Sequence, residues 1–281
     1  MMQARIAALN VYPVKSCRGI ACDRVTVTVR GLTAGGGGDR EWMVVDGAGR
    51  FVTQREQPRL ALVGTALAPG RLVLSAAGQP PLDVPSTPAA GTTRDVIVWG
   101  STVAAHDMGD DAARWLSMHL FAAVRLVRFD PAARRACNPE FAAETGAHTA
   151  FADGYPVLVI GDASLAALNA RLAAKSAPGL PMNRFRPNIV VGGLDAHAED
   201  HLDTIEADGV VLKLVKPCVR CTITTTDQDT AEVGLEPLAT LGGYRNDMRF
   251  GGVTFGMNAV VLAGAGRELA VGANASCTYR F

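Results

Sequence analysis

Val210 to Thr226 reads VVLKLVKPCVRCTITTT, and this stretch decides how the rest of the chain is read. Val210 to Val215, apolar except for Lys213, is of strand length, and Thr222 to Thr226 is a β-branched run that predicts a second strand. Between them lies a C-x-x-C, Cys218 to Cys221. A thioredoxin-type dithiol opens a helix inside a βαβ unit, so strands on both sides argue against that chemistry. Working outward, strands are predicted at Arg24 to Val29, Trp42 to Asp46, Leu60 to Thr65, Arg71 to Leu74, Val96 to Trp99, Val124 to Phe129, Tyr155 to Ile160, Asn188 to Val191 and Asn258 to Leu262. Pro80, Pro81, Pro85 and Pro88 make Ser75 to Arg94 a predicted loop, because proline cannot donate to a ladder. Two helices are predicted. Asp110 caps one, with Trp115, Leu116 and Leu120 on a single stripe, and Asp162 caps the other, with Leu165, Leu168 and Leu172 at helical spacing. Helices this few and scattered argue against a doubly wound sheet. The reading is a β-rich α+β chain of two β-barrel-like units decorated by a few helices. The end of the first helix and the strand restart at Val124 divide it into residues 1–122 and 123–281.

Lys plus Arg equals Asp plus Glu at 27 each, so the 281-residue chain has no net charge. Nothing global attracts nucleic acid or anionic lipid, and any anion site must be local. Six cysteines are too sparse for a disulfide-stapled secreted domain. The opening MMQARIAALNVYPVKS lacks an apolar core with a small-residue cleavage site, and no apolar run reaches the roughly 18 residues of a membrane span. A reducing cytoplasm, with no membrane partner, is the expected setting.

Several local motifs attract attention. Gly35 to Gly38 lacks the Lys-Ser/Thr ending of a Walker loop and reads as a hairpin connection. His197-Ala198-Glu199-Asp200-His201 has its glutamate one place too late for a zincin and reads as a solvated acidic loop. Asp107 to Asp111 lacks EF-hand spacing and reads as a helix-capping turn. The C-x-x-C is flanked by Lys216 and Arg220, which favour thiolate, the form that binds soft metals. By spacing alone its cysteines stay open between inert core fillers, a dithiol and metal ligands. A zinc site needs two further ligands. Tyr12 to Gly19 (YPVKSCRG) places lysine, serine and turn N–H groups where an oxyanion fits.

LNVYPVKSCRGI near the start and KPCVRCTITTTDQDT near the end together resemble the paired signatures of the MOSC family, the molybdenum cofactor sulfurase C-terminal domain, with its N-terminal β-barrel partner. Within that family the chain is similar to the amidoxime-reducing components. Asp39 to Val63, Trp99 to Ser117, Gly161 to Leu172 and Arg184 to Val191 follow in family order. The resemblance implies that Cys221 ligates molybdenum held by a pterin dithiolene, with Cys218 left unassigned. It implies that Lys15, Ser16 and Arg40 bind the cofactor's anionic tail, and that Arg186 and Asn188, with Arg184 as a weaker candidate, lie near the pterin. Such a protein reduces N-hydroxylated compounds (hydroxylamines, amidoximes, hydroxylated nucleobases) by removing oxygen at the metal. Asp227 or Asp229 would relay a proton. No iron–sulfur domain or membrane anchor is read in the chain, so electrons would come from a separate ferredoxin-, flavodoxin- or cytochrome b5-like reductase system. After its metal cysteine the family commonly reads T-V-D-P-D-T-G. Here Thr225 to Ala231 is TTDQDTA, which changes the turn chemistry. Two other functions fit less of the chain: sulfur or cofactor delivery through a persulfide on Cys221 or Cys218, and a non-catalytic zinc module.

Overall fold

The computed structural model describes residues 2–89, 91–142 and 145–280. Strand Met2–Val11 lies between Ile189–Gly192 and Asn274–Tyr279, antiparallel to both. Pairing continues through Leu202–Ala207, Val210–Val219 and Gly252–Ala263, which then pairs with Val157–Gly161. Val157–Gly161 runs parallel to Ile189–Gly192 and closes a seven-strand barrel. Closure leaves no exposed barrel edge. Ile6, Leu9, Val11, Val159, Val191, Leu212, Leu214 and Met257 fill the interior.

A second β-rich unit packs beside it. One sheet has the order Thr93–Val98, Ser101–Asp107, Arg125–Phe129, Trp42–Val45, and another has Gly64–Ala68, Arg71–Ala76, Gln79–Pro85. Helix Asp110–Leu120 buries Trp115, Leu116 and Leu120 against Leu72, Leu74 and Val84 of the second sheet. Pairing crosses residue 122 in both directions. Strand Arg125–Phe129 belongs with the earlier strands, and strand Met2–Val11 belongs to the later barrel. Among the described residues no helix is long and apolar enough to cross a membrane.

Several local expectations need correction. Thr222–Thr225 is a 3-10 turn, because the Thr224 and Thr225 hydroxyls donate back to the Cys221 and Thr222 carbonyls at 3.0 and 2.8 Å. Pro58 opens a second 3-10 turn, Pro58–Leu62, which delays the next strand to Gly64. Gln79–Pro85 is a strand despite its prolines, since it is the outer member of its sheet. Gly109 and Gly161, not Asp110 and Asp162, occupy the two helix cap positions. The Gly35–Gly36 pair forms the expected hairpin turn, with φ of 55° and 87°.

The His197–His201 segment is not simply solvated. Glu199 is fully buried and caps helix Asp162–Ala173, accepting from Gly161 N–H at 3.1 Å and from Ser164 Oγ at 2.7 Å. Burial, opposed by these donors, raises its pKa. Leaving a buried donor unmade costs about 1–3 kcal/mol. Glu199→Ala therefore loses about 2–3 kcal/mol in urea unfolding, and Glu199→Gln, which keeps an acceptor, loses less. Equal losses from the two variants would refute the cap.

Candidate functional site

The strand ends at one mouth of the barrel deliver the site. Met2–Val11 leads into the Tyr12 to Gly19 turn, Val210–Val219 into Arg220 and Cys221, and Arg186 and Asn188 directly precede Ile189–Gly192. Arg40 arrives from the neighbouring unit, where its N–H donates to Tyr12 O at 2.7 Å. Lys15, Ser16, Arg40, Arg186, Asn188, Cys218 and Cys221 line one cavity enclosing about 710 Å³, open mouth included. Of the residues singled out for the cofactor, all but Arg184 thus line a common space. Cys221 is partly exposed there and is a free thiol, like all six cysteines.

The cavity is strongly basic in a chain of zero net charge. Lys15, Arg40, Arg186 and Arg220 line it against one carboxylate, Asp153. Lys15 Nζ donates to Phe151 O at 2.8 Å and to Asp153 Oδ1. Burial pulls the Lys15 pKa down, and Asp153 opposes that pull. Desolvation works against the charge on Asp153, but Lys15, Arg40 and the Trp99 N–H outweigh it and hold the carboxyl below its usual range.

Arg40 and Arg186 both stack on Tyr12, at 4.3 and 4.4 Å from the ring centroid. Burial, then the neighbouring Arg40, draws Arg186 down to about 10. Behind them Asp39 accepts from Arg40 Nη1 at 2.6 Å, Tyr12 N at 2.9 Å and Asn188 Nδ2 at 2.8 Å. Asn188 Oδ1 accepts from Arg40 Nη1 and Leu158 N, both at 3.1 Å, so this amide acts chiefly by holding Arg40. Ser16, Arg40 and Arg186 all have left-handed backbones, φ 67°, 48° and 56°. Non-glycine residues persist in that region only where their surroundings enforce it, and they cluster at functional sites.

Two buried guanidinium nitrogens here have no partner among the described residues, Arg186 Nη2 and Arg220 Nε. Buried donors are almost always satisfied, and burying charge unpaired is costly. Four cations, two open donors and a partly exposed sulfur make a donor set that fits an anionic, sulfur-accepting group such as the implied molybdenum–pterin cofactor.

The expected flanking cations do not both reach Cys221. Lys216 lies over Phe141 and Phe250, at 4.6 and 5.9 Å. Arg220 Nη1 donates to Cys218 Sγ at 3.0 Å. Burial raises the Cys218 pKa and Arg220 counters it, so the cationic support expected for Cys221 goes to Cys218. Arg184 stays out of the cavity, donating to the carbonyls of Thr224 at 3.0 Å and Glu236 at 3.2 Å. Neither Asp227 nor Asp229 lines it. Asp227 accepts from the N–H groups of Asp229 and Thr230, and Asp229 pairs with Arg18 at 3.0 Å. Ala231 keeps a left-handed φ of 63° without a glycine, and Gln228 is buried at 4% exposure.

Sequence reading passed over Tyr12, Asp39 and Asp153. Tyr12 sat within the quoted basic turn, but nothing in one sequence says that a ring lies under two arginines.

Residues 3–123 match the MOSC N-terminal beta barrel domain and residues 146–274 the MOSC domain. Mitochondrial amidoxime-reducing component 1 of Mus musculus is 38% identical over 245 residues, covering 85% of this chain and 71% of that protein. The component 1 protein of Homo sapiens is 38% identical, with 85% and 72% covered, and component 2 of Rattus norvegicus is likewise 38% identical with the same coverage. At this identity and coverage, the chain belongs to the MOSC-domain family of amidoxime-reducing components.

Proposed function

We propose that this protein is a molybdenum cofactor-dependent reductase of N-hydroxylated compounds. The observation that carries the proposal is the convergence of Lys15, Ser16, Arg40, Arg186 and Cys221, from four separate chain segments, on one basic cavity. When bound, the molybdenum–pterin group supplies the two-electron chemistry by which R–NHOH, with two electrons and two protons, becomes R–NH₂ and water. Cys221 Sγ is assigned as the protein's sulfur ligand, a soft donor suited to molybdenum. Lys15, Ser16 and Arg40 hold the anionic tail, and Arg186 offers its free Nη2 to the pterin side. Asn188 and Asp39 keep Arg40 in place. Asp153, held ionised beside Lys15, offsets one of the four cations and is not an acid. Electrons come from a separate donor protein. The relatives' printed names support the amidoxime-reducing activity, and hydroxylamines and hydroxylated nucleobases extend it by shared N–OH chemistry.

A zinc module is disfavoured by the ligand set. Among the described residues no group of three or more Cys, His, Asp or Glu side chains is arranged to hold a metal.

Cys221→Ser, expressed in a molybdenum-replete host, loses most of its bound molybdenum by elemental analysis and its amidoxime reduction. Full molybdenum content in that variant would falsify the ligand assignment.

Arg186→Ala and Arg184→Ala separate binding from support. Arg186→Ala weakens pterin retention by about 10- to 150-fold, as expected for losing a charge-assisted contact of about 1.5–3 kcal/mol. Arg184→Ala retains the cofactor but loses about 1–3 kcal/mol of stability from its unpaired carbonyls. Reversal of that pattern, measured by released-pterin fluorescence and urea unfolding, would overturn both roles.

A further inference from the structure

Gln54 and Gln228 form a reciprocal amide pair inside the protein, 174 residues apart in sequence. Gln54 Nε2 donates to Gln228 Oε1 at 3.1 Å, and Gln228 Nε2 returns a bond to Gln54 Oε1 at 3.0 Å. The two side chains come from different halves of the chain and are buried, at 1% and 4% exposure. Gln54 Nε2 also donates to Ser16 O at 2.6 Å, and Gln228 Nε2 to Thr226 O at 3.0 Å. Thr226 N in turn donates to Ile223 O at 3.1 Å, within the turn that follows Cys221. A continuous bonded path therefore runs from the Cys221 turn through Thr226, Gln228 and Gln54 to the Ser16 carbonyl.

We infer that Gln54 and Gln228 are positioning residues that set the spacing between the Ser16 turn and the Cys221 turn. Ser16 needs such a hold, because its backbone is left-handed and that conformation survives only where partners enforce it. A neutral pair also suits the place, since a carboxylate there would compete for the cations meant for an anionic ligand. Arg18 Nη2 donates to Gln228 O at 2.7 Å and braces the pair from the other end of the same turn. This inference rests on the cofactor reading for what the spacing serves, while the clamp itself is a property of the polypeptide.

The test compares Gln54→Glu, Gln228→Glu and Glu199→Ala with the wild-type holoenzyme. Gln54→Glu removes the donors to Ser16 O and Gln228 Oε1, whereas Gln228→Glu removes the donors to Gln54 Oε1 and Thr226 O but leaves the Gln54 bond to Ser16 O in place. Glu199→Ala destabilises the barrel away from the site and controls for a general loss of stability. Gln54→Glu releases molybdenum about tenfold faster on gel filtration than the wild type, the factor that losing a buried hydrogen bond corresponds to. Gln228→Glu shows a smaller effect and Glu199→Ala none. In cofactor-free protein, amide exchange across residues 14–19 rises in Gln54→Glu and not in Glu199→Ala. Exchange unchanged in Gln54→Glu, or release accelerated equally by Glu199→Ala, would overturn the clamp. Faster exchange in a wild-type background that never holds molybdenum would support the clamp and overturn the cofactor reading instead.

Discussion

Arg40 and Arg186 share one face-on partner, the Tyr12 ring, and two like charges held that close need a counter-charge. Asp39 provides it. Buried at 5% exposure, it gathers bonds from Arg40, Tyr12 and Asn188, which come from three separated parts of the chain. A buried ion pair is costly unless further hydrogen bonds complete it, and here two of them do. Removing Asp39 would leave Arg40 without its ion-pair partner and Asn188 with an open donor. The arginines would then separate, and the cavity would lose its shape along with its charge balance. Both halves of the molecule depend on this one carboxylate being fully satisfied.

That satisfaction extends only part of the way. Asp39 balances Arg40 and Asp153 balances Lys15, and among the described residues no carboxylate pairs with the Arg186 or Arg220 guanidinium group. Part of each group is held, by Phe185 O and Cys218 Sγ for Arg220 and by the Tyr12 ring for Arg186, while Arg220 Nε and Arg186 Nη2 stay open among the described residues. An unbalanced pair of cations in a concave, partly enclosed space favours an anion of more than one charge over a single carboxylate. The charge left over after internal pairing thus makes the cavity complementary to a multiply charged anion.

Much of this was legible in the sequence because short motifs fix which residues are present, and resemblance fixes their order. Lys15, Ser16, Arg40, Arg186 and Cys221 could be named before any geometry was known. The strand Met2–Val11 was harder. A bulge between Ile6 and Ala8 shifts its register, so the buried positions Ala4, Ile6, Leu9 and Val11 break period two. The Thr222–Thr225 turn misled for the opposite reason. Its β-branched residues favour a strand, but their hydroxyls found local carbonyls and closed a 3-10 turn. Asp39 and Asp153 gave no local signal, since a carboxylate's role here is set by partners 149 and 138 residues away.

The two cysteines of the C-x-x-C, three positions apart, differ in chemistry. Cys218 is the penultimate residue of a barrel strand, sits against Arg220 and is driven toward the neutral thiol by burial. Cys221 lies beyond the strand end, where the chain has left the ladder and the backbone is free to turn its sulfur into the cavity. Arg220 between them divides its donors between Cys218 Sγ and the Phe185 carbonyl, so it fixes the strand end and not the outer sulfur. Cys221 is left accessible, with the Ser16 turn facing it across the same space. A sulfur poised in that way is suited to a ligand that arrives from the cavity side carrying its own negative charge. The same strand end that anchors Cys218 therefore makes Cys221 available.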